Sequence, residues 1–492
     1  ITDNGAGGLS CSVAEMAKEC GGCFVDLDTV PVKYAGLKPW EIWISESQER
    51  MTLAVGKDNW EEFERLMKKR GVDAWVIGEF TDSGKCVVVS GGQTVMDLDL
   101  EFLHNGLPSI KQKTDYEIPN VRISRFDEPD DVSSVLEQMV GRLNMADSSF
   151  ISNQYDYEVQ GGSVLKPLQG KGRVQTEATV VRPVLSSRKG VGISQGLWPS
   201  YSDFDPYLMA AASIDTAIRN LVTVGIGLET IGLLDNFCWC SSTEPERLGQ
   251  LKLAAKACYD YAVSYHTPYI SGKDSMFNDF KGFDESGKAV KISVLPTLLI
   301  SSIGVMEDVA DVVSLDVKLP GDLVYVLGDT HNELGGSEYL KMLNEDGTFL
   351  TGRVPNVDAV VNRALYETYN RAVSQGMMSS AIAVNRGGLG VALAKMSLAG
   401  KLGLDVSLSN IGGDVKRSDV ALFSESSGRI VVTVDPKRKA EFESVMVGVS
   451  MSLIGTVTDG KKIVIRDLGD SDYVSLTVSR GIKSYRERFI NY

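Results

Sequence analysis

The sequence predicts an α/β protein, with mixed sheets packed against helices, in which one domain occurs twice. Apolar segments typical of strands alternate with helical patterns that end at glycine. A glycine-rich turn before a helix, residues 3–9, has a second version at residues 383–389. Gly7 corresponds to Gly387, an offset of 380 residues. Internal similarity at a fixed distance indicates a duplicated domain.

Two further matches keep the same order along the chain. The polar cluster at residues 45–50 corresponds to residues 424–429, and Gly78 corresponds to Gly455, with offsets of 379 and 377. The second copy also has an earlier strand and helix, residues 321–328 and 357–375, that precede its glycine turn. We therefore expect the first copy to be half a domain whose start is missing from this chain.

A different unit is expected between the copies. It has a predicted helix from Asp131 to Leu143, strands near 177–181 and 231–237, and a helix that starts at Asp205-Pro206, where aspartate caps and proline occupies the first turn. The predicted domains are 1–120, 121–310 and 311–492, and a Pro-Gly turn at residues 320–321 opens the last copy.

Composition restricts the classes of partner. The 492 residues carry a formal net charge of −15, which argues against non-specific binding to nucleic acid or to an anionic membrane. No apolar run approaches the roughly 20 residues that span a bilayer, so the sequence predicts a cytoplasmic protein. The seven cysteines are too sparse for a disulfide scaffold. The pair in Cys20-Gly-Gly-Cys23 has the spacing of half a zinc site or of a redox pair, and the alternative is two buried thiols beside a glycine turn.

Asp3 lies immediately before the first glycine turn. A carboxylate there can hold Mg²⁺ while backbone amides at the start of the helix face a phosphate. The alternative is a plain tight turn, which uses the same glycines for backbone reasons alone. The pattern by itself leaves both interpretations open.

The polar cluster at residues 45–50 follows a segment, residues 41–44, that reads as a strand. It places two carboxylates, a hydroxyl, an amide and a guanidinium within a few positions, enough to orient a ribose and an amide. The alternative is a solvated hairpin between two strands. In either case an apolar run, residues 51–55, follows the cluster.

Two polar segments of the middle region suggest a ligand site. Asp235-Asn236 ends an apolar strand, and ligand residues gather at strand ends in open α/β sheets. Residues 270–275 follow a helix predicted for 244–265 and a short extended piece, but their Gly-Lys-x-Ser order lacks the full P-loop spacing. An Asp-Asn turn remains the alternative for the first segment. The three histidines are scattered and read as structural.

Several segments together resemble phosphoribosylformylglycinamidine synthase, a family whose chain repeats two domain types related to aminoimidazole ribonucleotide synthetase. The match covers nearly the whole chain, as the C-terminal part of such a protein. It is carried by TDNGAGGL at residues 2–9, ESQER at 46–50, YDYEVQGG at 155–162, DNFCW at 235–239 and SGKDS at 271–275.

The resemblance implies roles for individual residues and requires ATP and Mg²⁺. Asp3 would be a magnesium ligand. The formylglycinamide ribonucleotide would contact Glu46, Ser47, Gln48 and Ser275, and ATP would contact Asp235, Gly272 and Lys273. Position 273 is often a magnesium-binding asparagine in the small form of the family, so Lys273 is assigned to the nucleotide rather than to the metal.

The implied reaction activates the substrate amide oxygen with the γ-phosphoryl group of ATP, after which ammonia displaces phosphate to give an amidine. The family's catalytic histidine would lie in the missing N-terminal segment, so this chain alone is expected to be inactive. Ammonia would come from a glutaminase subunit or domain. Alternatives are another superfamily enzyme, such as thiamine monophosphate kinase or selenophosphate synthetase, and a non-catalytic nucleotide-binding or scaffold fragment.

The two copies differ in the residues that would carry chemistry. Asp3 corresponds to Ala383, and Gln48 and Glu49 correspond to Ser427 and Gly428. We therefore expect turnover to use the first copy together with residues of the middle domain. The second copy is expected to be structural, and a nucleotide held there would not turn over.

Overall fold

The computed structural model describes residues 1–120, 123–344 and 351–491. Contacts divide the chain into two compact units, Ile1–Lys111 and Gln112–Tyr492. The first predicted domain boundary, at residue 120, lies nine residues beyond this division, whereas the boundary at residue 310 falls inside the second unit and stays a prediction.

The first unit combines short strands with helices around one small core. Its strands are β1 Thr2–Asp3, β2 Cys23–Asp26, β3 Met51–Thr52, β4 Gly78–Phe80, β5 Lys85–Ser90 and β6 Gln93–Asp99. Its helices are α1 Leu9–Cys20, α2 Pro39–Trp43, α3 Trp60–Lys69 and α4 Leu100–Asn105. The strands form two sheets, with orders β1-β3 and β4-β2-β5-β6. Helix α1 buries Leu9, Val13 and Ala17 against this core, and Cys23 and Cys86 lie side by side within it.

The prediction of a strand at residues 41–44 was wrong, because residues 41–43 form the end of α2, Pro39–Trp43, and Ile44 is its C-cap. Proline at the first helical position fits the helix start. The carboxylate of Glu41 accepts a hydrogen bond of 2.7 Å from the amide of Lys38, which closes the first turn. The short apolar run therefore forms one helical turn, and a hairpin around residues 45–50 is excluded.

The second unit holds the remaining elements. Its strands are β7 Ser163–Leu165, β8 Leu168–Gln169, β9 Val174–Gln175, β10 Ala178–Val181, β11 Gly190–Leu197, β12 Gly232–Cys238, β13 Tyr269–Ser275, β14 Asp279–Phe283, β15 Ala289–Ser293, β16 Thr297–Met306, β17 Leu323–Leu327, β18 Met378–Ala383, β19 Gly403–Ser407, β20 Ile430–Val434, β21 Met451–Thr458, β22 Lys462–Arg466 and β23 Asp472–Thr477. Its helices are α5 Val132–Val140, α6 Ser149–Ser152, α7 Pro206–Thr223, α8 Pro245–Tyr265, α9 Glu338–Leu343, α10 Ala359–Ser374, α11 Gly388–Gly400, α12 Ser418–Phe423, α13 Lys439–Val445 and α14 Val478–Glu487.

Two large mixed sheets organise this unit among the described residues. One has the order β13-β12-β16-β11-β10-β7, and the other has the order β18-β20-β17-β21-β19-β22-β23. Helix α7 is buried along nearly its whole length and packs on β11 and β16. It begins as predicted, with the Asp205 carboxylate accepting hydrogen bonds from the amides of Tyr207 and Leu208. These sheets and helices confirm the predicted α/β class.

The backbone repeats the predicted duplication in detail. An added Cβ at Gly78 would lie 2.1 Å from the Phe24 carbonyl oxygen, and one at Gly455 would lie 2.1 Å from the Asp405 carbonyl oxygen. Both glycines therefore sit where one strand approaches another too closely for a side chain. In the described part of the chain, no helix is long and apolar enough to cross a membrane.

Candidate functional site

The acidic loop, which we define as Ser45–Arg50, folds over the first glycine turn. One oxygen of Glu46 accepts a hydrogen bond of 3.1 Å from the amide of Gly7. The guanidinium of Arg50 donates to the carbonyls of Ser45 and Ser47, at 2.5 and 3.2 Å. The path of the loop is thus fixed by backbone carbonyls and one arginine. The side chains of Glu46, Ser47 and Gln48 remain exposed on it.

The glycine turn beneath the loop is itself held by polar contacts. The Asp3 carboxylate accepts a hydrogen bond of 3.1 Å from the amide of Gly5 and is otherwise exposed. Gly8 has a positive φ of 58°, and an added Cβ there would lie 1.9 Å from the carbonyl oxygen of Ser45. Only glycine allows the loop and the turn to meet at this distance.

The buried loop, Ser424–Arg429, is the counterpart in the second unit and has the same backbone contacts. Glu425 accepts a hydrogen bond of 2.8 Å from the amide of Gly387, as Glu46 does from Gly7. Arg429 donates to the carbonyls of Ser424 and Ser426, at 2.5 and 3.0 Å, as Arg50 does in the acidic loop. The two loops therefore share one architecture.

The loops differ in what their carboxylates can reach. Glu425 is 3% exposed and also accepts hydrogen bonds from the Tyr201 hydroxyl, at 2.8 Å, and from the amide of Glu338, at 3.1 Å. Burial raises the pKa of the Glu425 carboxyl, although these donors oppose the rise. Protein groups occupy both of its oxygens, whereas Glu46 is open to solvent. Protein donors therefore surround the Glu425 carboxylate, whereas the exposed side chain of Glu46 is accessible to a ligand.

The predicted nucleotide residues lie on two adjacent parallel strands. Asp235 on β12 is directly opposite Gly272 on β13, and Asn236 is opposite Lys273. An added Cβ at residue 272 would lie 1.9 Å from an Asp235 carboxylate oxygen, so a side chain there would displace this carboxylate. Burial raises the pKa of Asp235, although the amide of Lys273 donates a hydrogen bond to the carboxylate.

Two details of this pair differ from the sequence prediction. Asp235 lies within β12 rather than at its end, and the extended piece predicted before residue 271 continues through Ser275. Helix α8 connects β12 to β13, as a crossover between neighbouring parallel strands requires. The pairing of the two strands then places Asp235 beside Gly272. Ser275 is half-buried and its hydroxyl is 3.2 Å from the Asn278 amide nitrogen, while the side chain of Lys273 is exposed.

A cavity of about 210 Å³ in the second unit was not foreseen from the sequence. It lies at the glycine turn of the second copy, and its charged lining includes Arg386, Lys395 and Glu177. Arg386 lies over the ring of Trp198, at 4.7 Å from the centroid, and Lys395 pairs with Glu177 at 2.8 Å. The sequence feature that could have indicated this cavity is Arg386, a charged residue at the position that corresponds to Ala6 in the first copy.

No cluster of three or more histidine, cysteine or acidic side chains suited to a metal exists among the described residues. Asp3 offers a single carboxylate. Mg²⁺ commonly takes one or two protein carboxylates and completes its shell with water and phosphate oxygens, so a single ligand fits that ion when a nucleotide carries it. The Cys23 and Cys86 sulfurs are 3.3 Å apart, and their counterparts, Leu404 and Ile463, are also buried, which supports a core role.

Comparison with known proteins finds the same repeat. The family model for the C-terminal domain of AIR synthase related proteins matches residues 1–91 and again residues 320–467. The two matched stretches are the two copies, each with its glycine turn and its arginine-held loop. In these two stretches the chain resembles the C-terminal domain of AIR synthase related proteins.

The chain is also similar to PurL, a subunit of phosphoribosylformylglycinamidine synthase. It is 31% identical to the PurL subunit of Caldanaerobacter subterraneus subsp. tengcongensis and 33% identical to that of Methanocaldococcus jannaschii. Each alignment covers 99% of this chain and 64% of the relative. The chain thus spans a little under two thirds of the length of these relatives.

Solved structures show the same fold. Thermotoga maritima PurL complexed with ATP superposes with a TM-score of 0.58 at 19% identity, covering 93% of this chain and 63% of the other. The PurLQS structure from the same organism gives the same TM-score. The complex of that PurL with FGAR gives a TM-score of 0.54 over 72% of this chain and 54% of the other.

Proposed function

We propose that this chain takes part in the ATP-dependent conversion of formylglycinamide ribonucleotide (FGAR) to its amidine, a carbon–nitrogen ligase reaction of purine biosynthesis in the cytoplasm. The homology to PurL subunits supports this proposal, as do the solved complexes of a structural relative with ATP and with FGAR. In this reaction ATP activates the amide oxygen, and ammonia then displaces phosphate. A glutaminase subunit or domain is the proposed source of the ammonia.

The observation that carries the proposal is the difference between the acidic and buried loops. Their backbones match, but Glu46, Ser47 and Gln48 are exposed, whereas Ser424, Glu425 and Ser426 are buried. An exposed carboxylate, hydroxyl and amide on a rigid loop can orient the ribose and amide of a ribonucleotide. We assign Glu46, Ser47 and Gln48 to FGAR on this basis.

The remaining ligand-binding residues are assigned within each unit. In the first unit, Asp3 is proposed as the protein ligand of Mg²⁺, which neutralises phosphate charge. In the second unit, Asp235, Gly272 and Lys273 are proposed to contact ATP, since Gly272 exposes its backbone without a side chain and Lys273 offers an exposed ammonium group. Ser275 is proposed to contact the substrate.

The test is calorimetric titration of the chain with FGAR, comparing the matched variants Glu46→Gln and Glu425→Gln. Loss of a hydrogen bond to a charged group costs about 1.5 to 3 kcal/mol, so Glu46→Gln is expected to weaken FGAR binding roughly 10- to 100-fold. Glu425→Gln, on the equivalent but buried loop, is expected to leave FGAR affinity unchanged. No binding by the parent chain, or equal loss in both variants, would contradict the proposal.

A further inference from the structure

Two cysteines face each other in the core of the first unit. Cys23 on β2 is directly opposite Cys86 on β5, and the two strands are parallel. The two sulfur atoms are 3.3 Å apart. Cys23 is 1% exposed and Cys86 is 0% exposed. Each thiol is therefore shielded from solvent and has the other thiol as a neighbour.

The sheet holds the two sulfurs in this contact. Strand β2 lies between β4 and β5, and β5 lies between β2 and β6, so both strands are paired on both sides. Neighbouring strands are about 4.8 Å apart, and disulfides join residues whose Cα atoms are about 4.4–6.8 Å apart. A bond between the sulfurs, at about 2 Å, therefore requires a change in side-chain torsions and no separation of the strands.

The second unit has apolar side chains at the equivalent positions. Leu404 on β19 is opposite Ile463 on β22, again in a parallel pair, and both are buried. Apolar side chains are thus sufficient to fill this part of the fold. Cysteine at both positions of one contact adds a reactivity that packing does not require.

The two thiols of the Cys20-Gly-Gly-Cys23 motif have different surroundings. Cys20 is exposed, and its thiol donates to the carbonyls of Ala17 and Gly22, at 3.5 and 3.3 Å. The chain turns at Gly21, which has a positive φ of 97°, before Cys23 enters the sheet. The sulfur contact of Cys23 is with a residue 63 positions away, which the spacing of the motif does not indicate.

The contact makes the two thiols chemically unequal. The contact with Cys86 lowers the pKa of the Cys23 thiol, although burial opposes this change. The same contact, followed by burial, raises the pKa of the Cys86 thiol. Cys23 therefore ionises more readily, and the thiolate is the nucleophilic form of cysteine.

We propose that Cys23 and Cys86 are a peroxide-sensitive site that forms a reversible disulfide. The Cys23 thiolate attacks one oxygen of hydrogen peroxide, the O–O bond breaks, and Cys23 becomes a sulfenic acid as hydroxide leaves. The Cys86 sulfur then attacks the Cys23 sulfur and displaces its hydroxyl group as a second hydroxide. The two thiol protons convert both hydroxides to water, so two thiols and one peroxide give one disulfide and two waters. A low-molecular-weight thiol reverses the reaction by exchange.

Local opening gives the oxidant access to the buried thiols. The pair lies at the end of the sheet where the amides of Thr81 and Gly84 donate to the carbonyls of Gly22 and Gly21, at 2.9 and 2.6 Å. Breaking these two contacts opens a route for a molecule as small as hydrogen peroxide. The disulfide then links positions 63 residues apart, which restricts the unfolded chain and stabilises the first unit.

Thiol counting by intact mass spectrometry of the full chain tests the proposal. The background variant Cys11→Ser/Cys20→Ser removes the two exposed thiols, whose own oxidation would confuse the count, and keeps five cysteines. The reduced protein is treated with hydrogen peroxide, quenched with catalase, unfolded and alkylated with iodoacetamide. We expect five adducts before peroxide, three after it, and five again after dithiothreitol. Peptide mapping of the oxidised parent chain without reduction should show the Cys23 and Cys86 peptides linked.

Two substitutions in the same background separate this pair from the other thiols. Cys86→Ala keeps an apolar side chain in the core, and all four of its remaining thiols should be alkylated after peroxide. The matched control is Cys258→Ala, which removes another buried cysteine and should still lose two of its four adducts. Oxidation should also raise the midpoint of thermal unfolding of the first unit in the background variant, but not in Cys86→Ala.

Three outcomes would overturn the proposal. The first is no loss of adducts in the background variant after peroxide. The second is a peptide map of the parent chain that links Cys23 to Cys20 in place of Cys86. The third is a loss of two adducts that persists in Cys86→Ala.

Discussion

At the scale of single residues, the two loops show how equivalent carboxylates can have different surroundings, because Glu46 is exposed and Glu425 is buried among protein donors. The sequence identified Glu46 and Glu425 as equivalent and predicted that only the first copy would be functional. It could not show that Tyr201 and Glu338 donate to Glu425, because these residues lie 224 and 87 positions away along the chain. Contacts over such distances depend on packing, which local patterns do not encode.

The raised pKa of Glu425 makes stability depend on pH. Burial raises the folded-state pKa above the ordinary value of 4.5, so the folded protein binds more protons than the unfolded chain just above that pH. Stability from this residue is therefore lost as pH rises from about 4.5 through the folded pKa. Glu425→Gln cannot ionise and should lack this loss.

Urea unfolding at a series of pH values checks this sign. The free energy of unfolding of the parent chain, minus that of Glu425→Gln, should become less positive as pH rises. Glu46→Gln, at the equivalent exposed position of the first unit, is measured in parallel. A difference for Glu425→Gln that grows with pH would contradict the assignment of burial as the dominant cause.

At the scale of elements, helices with strong end signals were predicted well. The start of α7 at Asp205-Pro206 and the end of α10 before Gly376 agree with their capping residues. Residues 41–44 were predicted as a strand because three apolar or aromatic positions, Ile42, Trp43 and Ile44, cannot separate the two periodicities. The cavity at Arg386 was missed because its lining joins segments that are far apart in the sequence.

Close strand approach makes two equivalent glycines sensitive to substitution. Gly78→Ala and Gly455→Ala each place a methyl group 2.1 Å from a backbone carbonyl oxygen. Each is expected to lower the free energy of unfolding of its unit by about 1 to 3 kcal/mol. Gly460→Ala is the control, because the nearest atom to its added Cβ is 3.8 Å away. Equal thermal unfolding of all three variants and the parent would show that the strands can separate without cost.

At the scale of the whole molecule, the division into two units predicts a site of proteolysis. Residues 106–120 are fully described and contain neither helix nor strand, and Lys111 and Lys113 in this segment are exposed. Brief digestion with a lysine-specific protease is therefore expected to cut here first and give two fragments. Mass spectrometry of the products identifies the bond that is cut.

The double variant Lys111→Ala/Lys113→Ala provides the comparison for this digestion. It should slow the first cut strongly while leaving the secondary structure unchanged by circular dichroism. A first cut at a lysine within the second unit, in the parent chain, would show that the boundary lies elsewhere.

The arginine that holds each loop affects which substitutions the loop can accept during evolution. Arg50 and Arg429 contact carbonyl oxygens, which every amino acid carries, so replacement of the neighbouring side chains leaves the loop path intact. Glu49 and Gly428 even share a positive φ, 62° and 76°. Selection can thus change the side chains of one copy without changing those of the other. The loop shape depends on backbone atoms, whereas the reactivity depends on side-chain atoms.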